Sequence, residues 1–123
     1  MADNESTMRW KVDIAQLTSA MQEAKRSISM ANAEFKSATS GLKKWADTAT
    51  GVEAKIKQLN STSEGQKKVL ASLKEQYAIL AKQFGENSTE CEKLRIKITN
   101  QEATVGKTER QLKEYKDRLI EIK

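Results

Sequence analysis

Cys91 is the residue best suited to nucleophilic chemistry, and it stands alone as the chain's single cysteine. A thiol near a helix start can be acidified into a thiolate. To act on a substrate it needs a base, and the sequence contains no histidine. The usual general base and the commonest metal ligand are therefore both absent. Free cysteine is among the most buried residue types, so Cys91 is expected to pack as a small apolar side chain. The five glycines are scattered singly and form no phosphate-cradling loop. No paired-carboxylate motif or metal-spaced cluster appears, so no catalytic, cofactor-binding or metal-binding residue is assigned. Trp10, Trp45, Tyr77 and Tyr115 could stack bases only if they were exposed among clustered cations. All four fall on one apolar stripe instead, where packing explains them.

Charge gives a similar answer. The 123-residue chain carries a formal +5 with a pI near 9.3, which would suit an acidic partner. The signs are interleaved, however, as in Glu90-Cys91-Glu92-Lys93-Leu94-Arg95. Alternating charge describes a solvated helix face, and no specific nucleic-acid binding is expected. One cysteine excludes an intrachain disulfide. Residues Met1 to Thr7 are polar and acidic, and no apolar stretch reaches signal-peptide or membrane-span length. Synthesis in a reducing cytosol fits, with no membrane contact from this segment.

The elements behind these residues are helices. Charged residues make up 32% and aromatics 5%, with no proline. That balance favours long amphipathic helices over a thick core. Without proline, no helix loses a donor or clashes with its preceding turn. Alternate steps of four and three from Trp10 reach Ile14, Leu17, Met21, Ala24, Ile28, Ala31, Phe35, Ala38, Leu42 and Trp45. The register continues through Ala49, Val52, Ile56, Leu59, Leu70, Leu73, Tyr77, Leu80 and Phe84. Beyond it come Cys91, Leu94, Ile98, Val105, Leu112, Tyr115, Leu119 and Ile122. Only Ser63, Gln66, Asn87, Gln101 and Thr108 break it. A 3.5-residue repeat puts these side chains on one stripe that needs a partner to leave water.

Turns can preserve such a phase, and two regions look like interruptions. The first runs from Thr39-Ser40-Gly41 to Asp47-Thr48-Ala49-Thr50-Gly51, where Thr50 with Glu53 forms a capping box. The second is Gly85-Glu86-Asn87-Ser88. Gly85 suits a left-handed C-cap, and Ser88 or Thr89 suits the next N-cap, with Glu92 completing a box for Thr89. Near the start, Met8, Trp10, Val12 and Ile14 alternate with Arg9, Lys11 and Asp13. That pattern fits a tail or short strand over 1–12, ended by an Asp13 cap, and it fits the heptad equally.

The expected fold is all-α, one elongated domain with helices at 13–46, 51–84 and 88–122. Helices 2 and 3 should form an antiparallel hairpin, because short loops join antiparallel neighbours. Folding about Gly85–Glu86 brings Tyr77 to Leu94, Leu73 to Ile98, Leu59 to Leu112 and the polar Ser63 to Thr108. In helix 1, Ala24, Ala31 and Ala38 alternate with larger residues and admit a close neighbour. That neighbour is either the hairpin, giving a three-helix bundle, or another copy in a coiled coil.

The order of several segments resembles a known family. Ala31-Asn32-Ala33-Glu34-Phe35-Lys36-Ser37-Ala38 leads to Trp45, then to Lys55-Ile56-Lys57-Gln58-Leu59-Asn60. Gln66-Lys67-Lys68-Val69-Leu70 and Leu73 to Tyr77 follow, then Phe84-Gly85-Glu86-Asn87-Ser88 and Leu94-Arg95-Ile96-Lys97-Ile98. Together they resemble the N-terminal helical region of tail tape-measure proteins of long-tailed bacteriophages and prophages, particularly those of Gram-positive hosts. The resemblance covers nearly the whole chain. It implies a rod-like structural protein, made in the host cytoplasm, that lies in the tail-tube lumen and sets tube length during virion assembly. Implied partners are further copies of itself, the tail tube, tail-tip proteins and assembly chaperones. Family members are usually far longer, and this chain stops at Glu121-Ile122-Lys123 in mid-heptad, so a fragment is expected.

Two other classes compete. A small secreted helical hairpin of the WXG type fits in size, but Trp45 is followed by Ala46-Asp47 and the turn at 85–88 holds no tryptophan. A generic coiled-coil oligomerisation module fits the periodicity alone.

Overall fold

A computed structural model describes the backbone of residues 2–123 and the side chains of residues 8–123. The described residues are almost wholly helical. Helix α1 spans Ala2–Thr39, a short 3₁₀ turn spans Trp45–Asp47, and helices α2 and α3 span Ala49–Phe84 and Thr89–Ile122.

The breaks fall where the sequence changes character, with some differences in detail. The alternating segment over 1–12 is not a strand. From Ala2 onward it is the start of α1, and Asp13 lies inside that helix instead of capping it. The heptad won over the two-residue alternation because α2 supplies partners on that side, Phe84 for the Trp10 ring and Ser72 for the Leu17 carbonyl. Helix α1 also ends earlier than 46. Thr39 Oγ1 donates to the Phe35 carbonyl at 2.8 Å and Ser40 Oγ to that of Ser37 at 3.0 Å, which occupies carbonyls of the last turn.

The start of α2 is capped by Thr48, not Thr50. Thr48 is extended (φ −113°, ψ 147°), the geometry an N-cap requires. Its hydroxyl donates to the Trp45 carbonyl and accepts from the Gly51 N–H, both at 3.0 Å. Thr50 is already helical, and Glu53 turns outward to pair with Lys123 at 3.1 Å. At the second break, Gly85 takes φ +90° and its N–H reaches the Ala81 carbonyl at 2.9 Å. Ser88 caps α3 through the Cys91 N–H at 3.2 Å. That leaves Thr89 as the first helical residue and Glu92 exposed, so the Thr89–Glu92 box does not form.

Helix α2 is the middle element, with α1 and α3 both packed against it. Ser72 Oγ donates to the Leu17 carbonyl at 2.8 Å and Gln58 Nε2 to Asn32 Oδ1 at 2.7 Å, so α1 and α2 are antiparallel. Gln101 Nε2 reaches the Gln66 carbonyl at 3.0 Å and Lys123 Nζ pairs with Glu53 Oε1 at 3.1 Å, so α2 and α3 are antiparallel as well. One apolar cluster joins all three helices: Ala24 from α1, Val69 and Leu73 from α2, and Leu94 from α3. Met21, Tyr77, Leu80 and Ile98 pack around it. Among the described residues no helix is long and apolar enough to cross a membrane.

Candidate functional site: the two faces of the central helix

Helix α2 buries two stripes. One is the heptad register, with Val52, Leu59, Ser63 and Leu73 buried and Ile56, Leu70, Tyr77 and Leu80 half-buried. The other runs one residue behind it through Gly51, Lys55, Gln58, Thr62, Gly65, Val69, Ser72, Gln76 and Ile79, all buried or half-buried. A one-residue offset is about 100° around a helix, so α2 presents two separate faces. The first meets α3, where Leu94 and Val105 are buried and Ile98, Leu112, Tyr115 and Leu119 half-buried. The second meets α1, where Ala24 and Ala31 are buried and Leu17, Met21, Ile28 and Phe35 half-buried, as is Leu42 in the connection that follows.

The two seams differ in chemistry. Between α2 and α3 the buried residues are mostly large and apolar, each worth about 1.5–3 kcal/mol on burial. Ser63 and Thr108 form a buried polar interval in that seam, at 6% and 5% exposure. Between α1 and α2 the buried residues on the α2 side are small or polar apart from Val69. Gln76 Nε2 lies 3.1 Å from Met21 Sδ and 3.2 Å from Ser72 Oγ, which itself donates to α1. Gly65 lies directly beneath Ile28. A Cβ there would sit 2.7 Å from Ile28 Cγ1 and 3.1 Å from the Ala24 carbonyl oxygen.

An aromatic cluster closes the end where α1 gives way to α2. Phe35 and Trp45 meet edge to face at 5.0 Å, and Trp45 lies 5.9 Å from Tyr115 of α3. Lys55 Nζ sits 4.8 Å from the Phe35 ring centre and 5.9 Å from that of Trp45. Burial among these rings pulls the Lys55 pKa below its ordinary 10.5. Arg118 ties the same corner by donating to the Ala46 carbonyl at 2.7 Å and Asp47 Oδ1 at 2.8 Å. At the opposite end Trp10 meets Phe84 edge to face at 5.4 Å, although Phe84 remains 49% exposed.

Cys91 is fully buried. Among the described residues no three acidic, cysteine or histidine side chains gather as metal ligands would. What the arrangement offers is surface. Along the outer side of the α1–α2 seam, away from α3, runs a chain of shallow clefts from Leu17 and Glu75 at one end to Ala38 and Ala54 at the other.

The heptad stripe therefore marks the α2–α3 seam and the inner face of α1. The second face of α2 was not legible as a stripe, because Gly51, Gln58, Gly65, Ser72 and Gln76 are small or polar. The signal that could have found it is the Ala24–Ala31–Ala38 spacing in α1, which calls for small partners. No family model, curated protein or solved structure matches the chain.

Proposed function

We propose that the chain is a structural segment, the N-terminal helical region of a bacteriophage or prophage tail tape-measure protein. The observation that carries this reading is the heptad register from Trp10 to Ile122, whose phase survives both connections. It is supported by the order of segments from Ala31 to Ile98 that resembles that family. The helices pair through coiled-coil seams in this reading, and the protein is made in the host cytoplasm and housed in the tail lumen. Its partners there are further copies of itself, the tail tube, tail-tip proteins and assembly chaperones. No role requires catalysis or a cofactor.

The register also lets one stripe serve two forms. Folded, the chain spans roughly one helix, about 57 Å for the 38 residues of α1. As a single rod it would rise about 1.5 Å per residue. The test is an in-frame deletion of α2 from the gene in the phage or prophage that encodes it, with virion tails measured by electron microscopy. Tails shortened in proportion to the deletion support the reading, and intact virions with unchanged tail length refute it.

A further inference from the structure

We propose that the outward face of α3 in one copy of this chain docks in the outer α1–α2 cleft of a second copy, a head-to-tail contact. This rests on surface chemistry alone and not on the tail reading.

The cleft has the shape and charge of a helix-binding groove. Its floor and walls are small, with Ala20, Ser27, Ala31, Ser61, Gly65 and Ala71 among the lining residues. Small side chains let a third backbone come close, as at other helix contacts. From Leu17 to Ala38 it runs 21 helical steps, about 32 Å. Its charged rim is Glu23, Glu34, Glu64 and Glu75 against Lys57 and Lys68, net negative on a chain whose sum is +5. None of these six forms an ion pair among the described residues.

The opposing feature lies on α3, on the side turned away from α2. Between Glu92 and Glu114, which bound it, that side carries Lys93, Lys107, Arg110 and Lys113 and no carboxylate. All four are exposed, and none is in an ion pair among the described residues. From Lys93 to Lys113 it runs 20 helical steps, about 30 Å, which matches the cleft. Along its centre stand Ile96, 58% exposed, then Ala103 and Gly106.

Gly106 marks the same face. A glycine inside a helix is unfavourable relative to alanine. Gly51 and Gly65 are needed because another part of the chain occupies the space of a Cβ. At Gly106 a Cβ would meet only the Arg110 guanidinium, at 3.8 Å. Nothing among the described residues requires glycine there, whereas a neighbouring helix lying against α3 would.

Because groove and face are different surfaces, each copy in such a contact keeps one of each free. The contact is heterologous, and it closes into a ring or continues as a filament. It should weaken with salt, since both charge sets are exposed.

The test uses the whole chain in sedimentation velocity, with circular dichroism to check folding. One variant carries Lys93→Glu, Lys107→Glu, Arg110→Glu and Lys113→Glu; the other carries Glu23→Lys, Glu34→Lys, Glu64→Lys and Glu75→Lys. The expected result is self-association of the unaltered chain, at least about tenfold weaker in each variant alone. Mixing the two variants should restore association. If either fails to fold, Gly106→Leu decides, because it should raise the melting temperature of the dilute chain while weakening association. Association indifferent to both charge sets and to Gly106→Leu overturns the proposal. So does an unaltered chain that stays monomeric to about 1 mM, whether or not its α3 cations retain a nucleic-acid probe.

Discussion

Gly51 and Trp45 touch backbone to backbone where the first connection enters α2. A Cβ on Gly51 would lie 2.7 Å from both the Cα and the carbonyl carbon of Trp45, and closer still to its carbonyl oxygen. That oxygen already accepts the Thr48 hydroxyl and the Thr48 N–H, so it has no freedom to retreat. The 3₁₀ turn, the Thr48 cap and the aromatic cluster thus depend on one missing methyl group.

Gly51→Ala should therefore destabilise the chain by at least the roughly 1–3 kcal/mol typical of overpacking. Gly41→Ala is the control, because among the described residues no atom beyond its two chain neighbours lies within 4 Å of its Cβ position. Thermal denaturation followed by circular dichroism should show a clear drop for the first and little change for the second. Equal melting temperatures would mean that α2 does not begin against Trp45.

Leu73→Asp and Lys67→Asp test the register. Leu73 is 4% exposed within the central cluster, so a carboxylate there loses its water without gaining a partner. A loss of about 3 kcal/mol or more is expected, in the range for large core truncations and buried unpaired charge. Lys67 is exposed and pairs with Glu109, an interaction worth about 0–1 kcal/mol. Similar unfolding midpoints in urea would refute the assignment of faces.

The α2–α3 pairing can be measured as a distance. Lys57 and Glu114 are exposed on neighbouring antiparallel helices, whose axes should lie about 8–10 Å apart. In a straight rod the same residues would be roughly 85 Å apart. With Cys91→Ser, spin labels at 57 and 114 and dilution by unlabelled chain, electron–electron resonance should give a dominant distance below about 30 Å, allowing for the linkers. A dominant population near the rod value would mean that the turn at Gly85–Ser88 does not hold in solution.

Lys55 predicts a pH dependence. Burial lowers its pKa below 10.5, so the folded chain gives up this proton before the unfolded chain does. Between the two pKa values the unfolded state binds more protons, and stability rises with pH. The ring faces of Phe35 and Trp45 favour the cation and offset part of the effect. Lys55→Met should remove this alkaline gain. The difference between the two chains isolates it from the tyrosines and Cys91, and a constant difference in melting temperature as pH approaches 10.5 would refute it.

The helical class, both breaks and the α2–α3 partnership were legible because each rests on strong local physics. Leu73 and Leu94 repeat on one stripe, and Gly85 followed by Ser88 punctuates it. Positions where one short side chain competes with another were harder. In sequence Thr50, with Glu53 three residues on, reads as the cap, and the Trp45–Asp47 turn, which no periodicity marks, gives that role to Thr48 instead. Ser72 and Gln76 look like solvated polar residues until α1 lies across them. Their burial depends on Leu17 and Met21, more than fifty positions away, and no local pattern encodes that meeting.

The three antiparallel helices have a mechanical consequence. Trp10 near the start of α1 touches Phe84 beside the second turn, whereas Lys123 reaches Glu53 beside the first connection. The two ends of the chain therefore leave from opposite poles. Tension between them loads both seams in shear, so that many contacts must slip together instead of opening one after another. Slippage should begin between α1 and α2, where Ala24, Gly65 and Ser72 provide shallow ridges and the Gln76–Ser72–Leu17 bonds are few. The α2–α3 pair, keyed by Leu59, Leu73 and Leu94, should then be the last to yield.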